Sequence, residues 1–183
     1  VVNKIVNNVP DPRVIKASLT VNGGLLSGSG QAFTANDITS KPTSMTASLD
    51  NVSLVGSLQT ATGRESYKLD VANSTLYNTR AQLTDFAKTW SSLSMNDSGR
   101  AYQWTFSSTG ALAGSSVTTG CGYTGQLSLR TEGKAIVNVE VVETCPGQTS
   151  LTYKGIAFTK NGQAVFTLAS DKGAALFKFP APQ

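Results

Sequence analysis

From Val14 onward, apolar residues fall at every second position. Ile15, Ala17, Leu19 and Val21 alternate with Lys16, Ser18 and Thr20, and Asn22-Gly23-Gly24 supplies a turn. Met45, Ala47 and Leu49 repeat the alternation, and Val52–Leu58 and Tyr67–Val71 follow turn residues at Asp50-Asn51 and Thr62-Gly63. In the second half, Tyr102, Trp104 and Phe106 alternate with Gln103 and Thr105. Leu112–Val117, a run starting at Cys121, Ile136–Val142, Leu151–Thr159, Ala164–Ala169 and Ala174–Phe179 follow in order. Short period-two runs bounded by Gly, Asn, Asp or Ser are the pattern of antiparallel strands with one buried face. Asn161-Gly162, set between Phe158 and Val165, predicts a two-residue type I′ hairpin, because both residues tolerate positive φ.

One stretch departs from this period. Leu83, Phe86, Ala87 and Trp90 are spaced i, i+3, i+4, i+7, which predicts a helix over Thr79–Leu93 with Phe86 and Trp90 turned into the core. Ahead of the first strand, Pro10-Asp11-Pro12 argues against a helix or a central strand, so residues 1–13 read as an extended lead-in. The expected organisation is this lead-in and one β domain over 14–183. That domain divides into a first meander (14–78), a helix and linker (79–98) and a second meander (99–183). The fold class is all-β with one short helix, either an antiparallel up-and-down barrel of lipocalin-like form or a two-sheet sandwich. Gly24-Leu25-Leu26-Ser27-Gly28-Ser29 and Gly110-Ala111-Leu112-Ala113-Gly114-Ser115 share G-x-L-x-G-S, as a duplicated meander would. Turn grammar reuses few residues and gives the same match.

Composition changes the picture in two ways. Hydrophobic content of 39% with only 14% charged residues is that of a folded globule, with Ser and Thr supplying much of the polarity. The net charge of +4 is carried by Lys and Arg residues of which no two are adjacent. A nucleic-acid interface usually gathers such residues, so no nucleic-acid partner is expected. Strands can still align some of them on one face, which leaves weak attraction to an anionic polymer open. No apolar run reaches the ~20 residues of a membrane-spanning helix. The chain starts at Val1 rather than Met, and the reading allows an export signal or membrane anchor removed from its N-terminus.

The two cysteines, Cys121 and Cys145, sit near the outer ends of consecutive strands, where a disulfide would staple a hairpin. An even count with no cysteine left over fits a bridge and therefore an oxidising, extracytoplasmic compartment: periplasm, outer-membrane surface or extracellular space. The chain has no histidine, which removes the commonest general base and metal ligand. No cofactor and no metal is expected. Paired-carboxylate chemistry has Asp70, Asp85, Glu132, Glu140 and Glu143 to draw on, in no telling pattern, and the expectation is that the protein is not an enzyme.

Trp104-Thr105-Phe106, the Gly110–Ser115 turn, Gly120-Cys121-Gly122-Tyr123-Thr124-Gly125 and Cys145 together resemble small exported proteins and lipoproteins of the Gram-negative cell envelope. The resemblance spans about Tyr102 to Phe179 and implies a β-meander with an envelope or surface location. The expected function is binding or assembly without catalysis, as an adhesive module, a fibre or pilus subunit or a lipoprotein ectodomain, with a protein partner or self-association. Ile15, Ala17, Leu19 and Val21 are then the candidate donor strand. Two alternatives are kept. One is a carrier of a small apolar ligand in a barrel lined by Trp104, Tyr123, Phe158 and Phe166. The other is an inhibitor of a secreted hydrolase that presents the Cys145-Pro146-Gly147-Gln148 loop.

Overall fold

The computed structural model describes residues 2–6, 9–34, 37–49, 53–60, 63–70, 78–93 and 101–180. The protein is all-β and forms two antiparallel sheets. It divides into two compact units, Val1–Thr75 and Leu76–Gln183, in place of the single domain expected from residue 14. Among the described residues, each strand pairs only with its neighbours in its own half of the chain.

The first unit is a six-stranded meander of β1 (Val2–Val6), β2 (Val9–Asn22), β3 (Leu25–Thr34), β4 (Asp37–Leu49), β5 (Ser53–Thr60) and β6 (Gly63–Asp70), ordered as in the chain. The β2–β3 connection is the Gly23-Gly24 turn, whose two residues sit at φ 55° and 83°. A two-residue hairpin loop of this hand needs positive φ at both positions, which glycine adopts at little cost. Residues 1–13, read from sequence as a lead-in, contribute β1 and the start of β2, paired from Val6↔Val9 to Val2↔Arg13. The prolines are accommodated because the β2–β3 ladder begins only at Arg13↔Thr34.

The second unit is an eight-stranded meander, again in chain order: β7 (Thr89–Leu93), β8 (Ala101–Phe106), β9 (Ala111–Ser116), β10 (Gly122–Leu129), β11 (Val137–Thr144), β12 (Leu151–Lys160), β13 (Gln163–Ala169) and β14 (Ala174–Phe179). Its end strands β7 and β14 come back beside each other, so the sheet nearly closes into a barrel. Asn161 and Gly162 form the β12–β13 turn at φ 50° and 75°, as the dipeptide predicts. Inward positions alternate along each strand, with Tyr102, Trp104 and Phe106 of β8, Val137, Val139 and Val141 of β11, and Phe177 and Phe179 of β14 all buried.

The helix expected over Thr79–Leu93 does not form. Among the described residues, a single 3-10 turn at Leu83–Asp85 is followed directly by β7. The Gln82 amide donates to the Asp85 carboxylate at 3.1 Å, and the Lys88 carbonyl then accepts from the Phe106 amide at 3.1 Å, committing the chain to β8. Phe86 and Trp90 nevertheless reach the core as expected, at 0% and 1% exposure. A tight turn followed by a strand delivers the same two side chains inward, and the indole Nε1 donates to the Phe86 carbonyl at 2.9 Å. From residue 94 onward, the linker expected up to residue 98 lies outside the described residues.

Candidate functional site

One end of the barrel is built by β10, β11 and β12. The ladder pairs Gly122 with Thr144, and the next residues outward are Cys121 and Cys145, joined in a disulfide that extends the pairing by one position. Two positions inside it, Glu143 follows the inward alternation of β11 and enters the barrel end. Tyr123 Oη donates to Glu143 Oε1 at 2.6 Å, and Tyr153 Oη donates to Oε2 at 3.3 Å. Burial, reinforced by the Glu143 carboxylate, raises both phenols: Tyr153 is pushed up to about 12 and Tyr123 is held well above the usual phenol range. The two sulfurs and a Glu143 carboxylate oxygen lie within 4.8 Å of one another. With the sulfurs bonded to each other, this cluster is a carboxylate fixed by two neutral phenols beside a staple. Glu143 is the residue that sequence reasoning left among five scattered acids. Its signal is the period-two continuation of Val137, Val139 and Val141.

The barrel interior is filled. Trp104, fully buried, has ring centroids 4.7 Å from Phe177, 5.5 Å from Tyr123 and 5.5 Å from Phe166. Phe106 stacks on Phe166 at 5.4 Å. Of the four residues expected to line a ligand cavity, Trp104 packs against both Tyr123 and Phe166 in this cluster. Phe158 neighbours the inward Ala157 in β12 and so lies on the opposite, outer face of the sheet. The four do not enclose a common space.

The other acids are engaged separately. Glu140 lies on the outer face and pairs with Lys154 at 2.9 Å, while Glu132 meets Arg130 at 3.4 Å in the β10–β11 loop. The Cys145–Gln148 loop is a turn closed by the Gln148 amide on the Cys145 carbonyl at 3.1 Å. The expected donor segment is the second strand of its own sheet, paired with β3 from Arg13 to Asn22. Ile15, Ala17, Leu19 and Val21 share its apolar face, with Leu19 and Val21 42% and 65% exposed.

The concave feature of the first unit lies on the opposite, polar face of that sheet. An open groove of about 600 Å³ runs over β3 to β6, lined by Leu25, Ser27, Thr46, Val55, Arg64 and Ser66 among others. The register explains its chemistry. Thr20, Ser27, Thr46, Ser57 and Ser66 are successive partners across five strands, a continuous row of hydroxyls. The adjacent row reads Ser18, Ser29, Ser44, Gln59 and Arg64. Strands about 4.8 Å apart and rows about 6.8 Å apart set the spacing of this grid. On its other side, Leu25, Ser48, Val55 and Lys68 form a row in which Leu25 and Val55 are 63% and 44% exposed. Among the described residues, no helix is long and apolar enough to cross a membrane. No family model, curated protein or solved structure matches the chain.

Proposed function

We propose that the chain is an exported, non-catalytic protein of the cell envelope or surface that acts by binding, with the first unit as the contact surface and the barrel as its rigid body. The observation that carries this reading is the contrast between the two sheets. The barrel fills its interior with its own aromatic side chains, which leaves little room for an apolar cargo. The six-stranded sheet presents an open, hydroxyl-lined groove and several exposed apolar side chains. The disulfide at the barrel end is compatible with an oxidising compartment. Ring clusters that exclude water and a carboxylate fixed between two phenols are features of a scaffold.

Fractionation of source cells tests the proposal. The chain is expected in the extracytoplasmic fraction, and the immobilised protein is expected to retain a component of that fraction. A Leu25→Ser/Val55→Ser variant should retain less of it. Recovery of the chain in the cytosol, or capture indifferent to these substitutions, contradicts it.

A further inference from the structure

We infer that the polar face of the six-stranded sheet is a binding site for an anionic polysaccharide, laid across the hydroxyl rows and held by Arg64, Lys68 and Lys16. This deepens the binding role proposed above and rests on it. The argument begins with which residues the register puts on this face. Four consecutive rows run from Lys16-Gln31-Pro42 to Asn22-Leu25-Ser48-Val55-Lys68, and every charged residue within them is basic. Glu65, the acid of β6 nearest to Arg64, pairs with Leu58 and therefore lies on the opposite face. The scattered cations of the sequence thus gather, through strand pairing, on the face of a groove of about 600 Å³ that Arg64 lines, and the acid of β6 on that face, Asp70, falls one row beyond them, opposite Ser53.

The groove's other groups fit a sugar polymer. Hydroxyls of Ser and Thr both donate and accept, so the exposed Thr20, Ser27, Thr46 and Ser66 meet the hydroxyls of a glycan in either sense, while the buried Ser57 hydroxyl lies 3.2 Å from that of Thr46 and holds it in place. Arg64 supplies a planar fork suited to a carboxylate or sulfate. The exposed Leu25 and Val55 offer apolar surface to the C–H faces of a pyranose ring. A nucleic acid is the poorer fit. Its bases need aromatic platforms, and the aromatic residue of β6, Tyr67, pairs with Gly56 on the opposite face.

The test is retention of the whole chain by polygalacturonate, neutral dextran and poly(dT) in affinity electrophoresis, repeated across a salt series. The expected result is retention by polygalacturonate that weakens as salt rises, with none by dextran and less by poly(dT). Arg64→Ser/Lys68→Ser should weaken polygalacturonate binding on the order of tenfold or more, in line with lost charge-assisted contacts. Thr46→Val, which keeps the shape and removes a hydroxyl, should weaken it to a smaller degree. Equal thermal melts of variants and parent establish that the fold is kept. Poly(dT) retained as strongly as polygalacturonate, polygalacturonate binding indifferent to the Arg64/Lys68 change, or dextran bound equally well each overturns the ligand class. So does the absence of retention by any polymer. Capture from the extracytoplasmic fraction, read independently, then decides whether the binding role itself survives.

Discussion

Glu143 sits inside a barrel end because Tyr123 and Tyr153 satisfy its two oxygens at 2.6 Å and 3.3 Å. The arrangement makes the fold sensitive to alkali. A phenol whose folded pKa is raised above its unfolded value contributes stability that is full below about pH 10 and is lost as pH climbs toward the folded value. With Tyr153 raised to about 12 and Tyr123 also raised, unfolding free energy should begin to fall above about pH 10. Urea midpoints across pH 8 to 12 check this, and Tyr123→Phe/Tyr153→Phe should flatten the decline. At a second position, Gly114 is a matter of space. A Cβ there would lie 2.6 Å from Trp104 Cδ1 and 2.7 Å from the Gln103 carbonyl. Gly114→Ala should therefore destabilise the barrel by about 1–3 kcal/mol, measured as a lowered urea midpoint at unchanged slope.

At the scale of elements, the hairpin β10–β11 shows how much the sequence carries. Period-two apolar residues marked both strands, and the cysteines marked their open end, one step beyond the Gly122↔Thr144 pair. The bridge encloses a separation of 24 residues. Replacing both cysteines by serine should cost about 3 kcal/mol by freeing the unfolded chain, read from the urea midpoint. The Asn161-Gly162 turn was equally legible, because its geometry is a local matter of φ. The stretch from Leu83 to Trp90 was not. Its i, i+3, i+4, i+7 spacing is a helical signature, but β8 offered the backbone of Lys88 onward a sheet partner, and tertiary pairing overrode the local pattern. The first β-strand was hidden for the opposite reason. Pro10 and Pro12 look like breakers until the ladder shows that, among the described residues, they occupy a stretch of β2 paired with β1 alone.

For the whole molecule, strand alternation gave the all-β class and the near-closed meander. The division into two units and the hydroxyl grid depend on which strands pair, which no single segment encodes. Serines such as Ser44 and Ser66 are unremarked in sequence and join one surface only through register. The filled barrel gives a further prediction. Both tryptophans are buried, at 1% and 0% exposure, so native emission should be blue-shifted, resist quenching by iodide and stay unchanged on adding fatty acid. Emission that shifts with added lipid would instead indicate an interior able to admit a ligand.

The central claim is that this is an exported binding protein whose β10–β11 hairpin is stapled at its open end by a cystine. The most direct measurement is alkylation of the chain under native, non-reducing conditions immediately after recovery from its source cells, read by intact mass. The predicted result is no adduct until a reductant and denaturant are added, after which both cysteines react. Two adducts on the untreated protein would contradict the account.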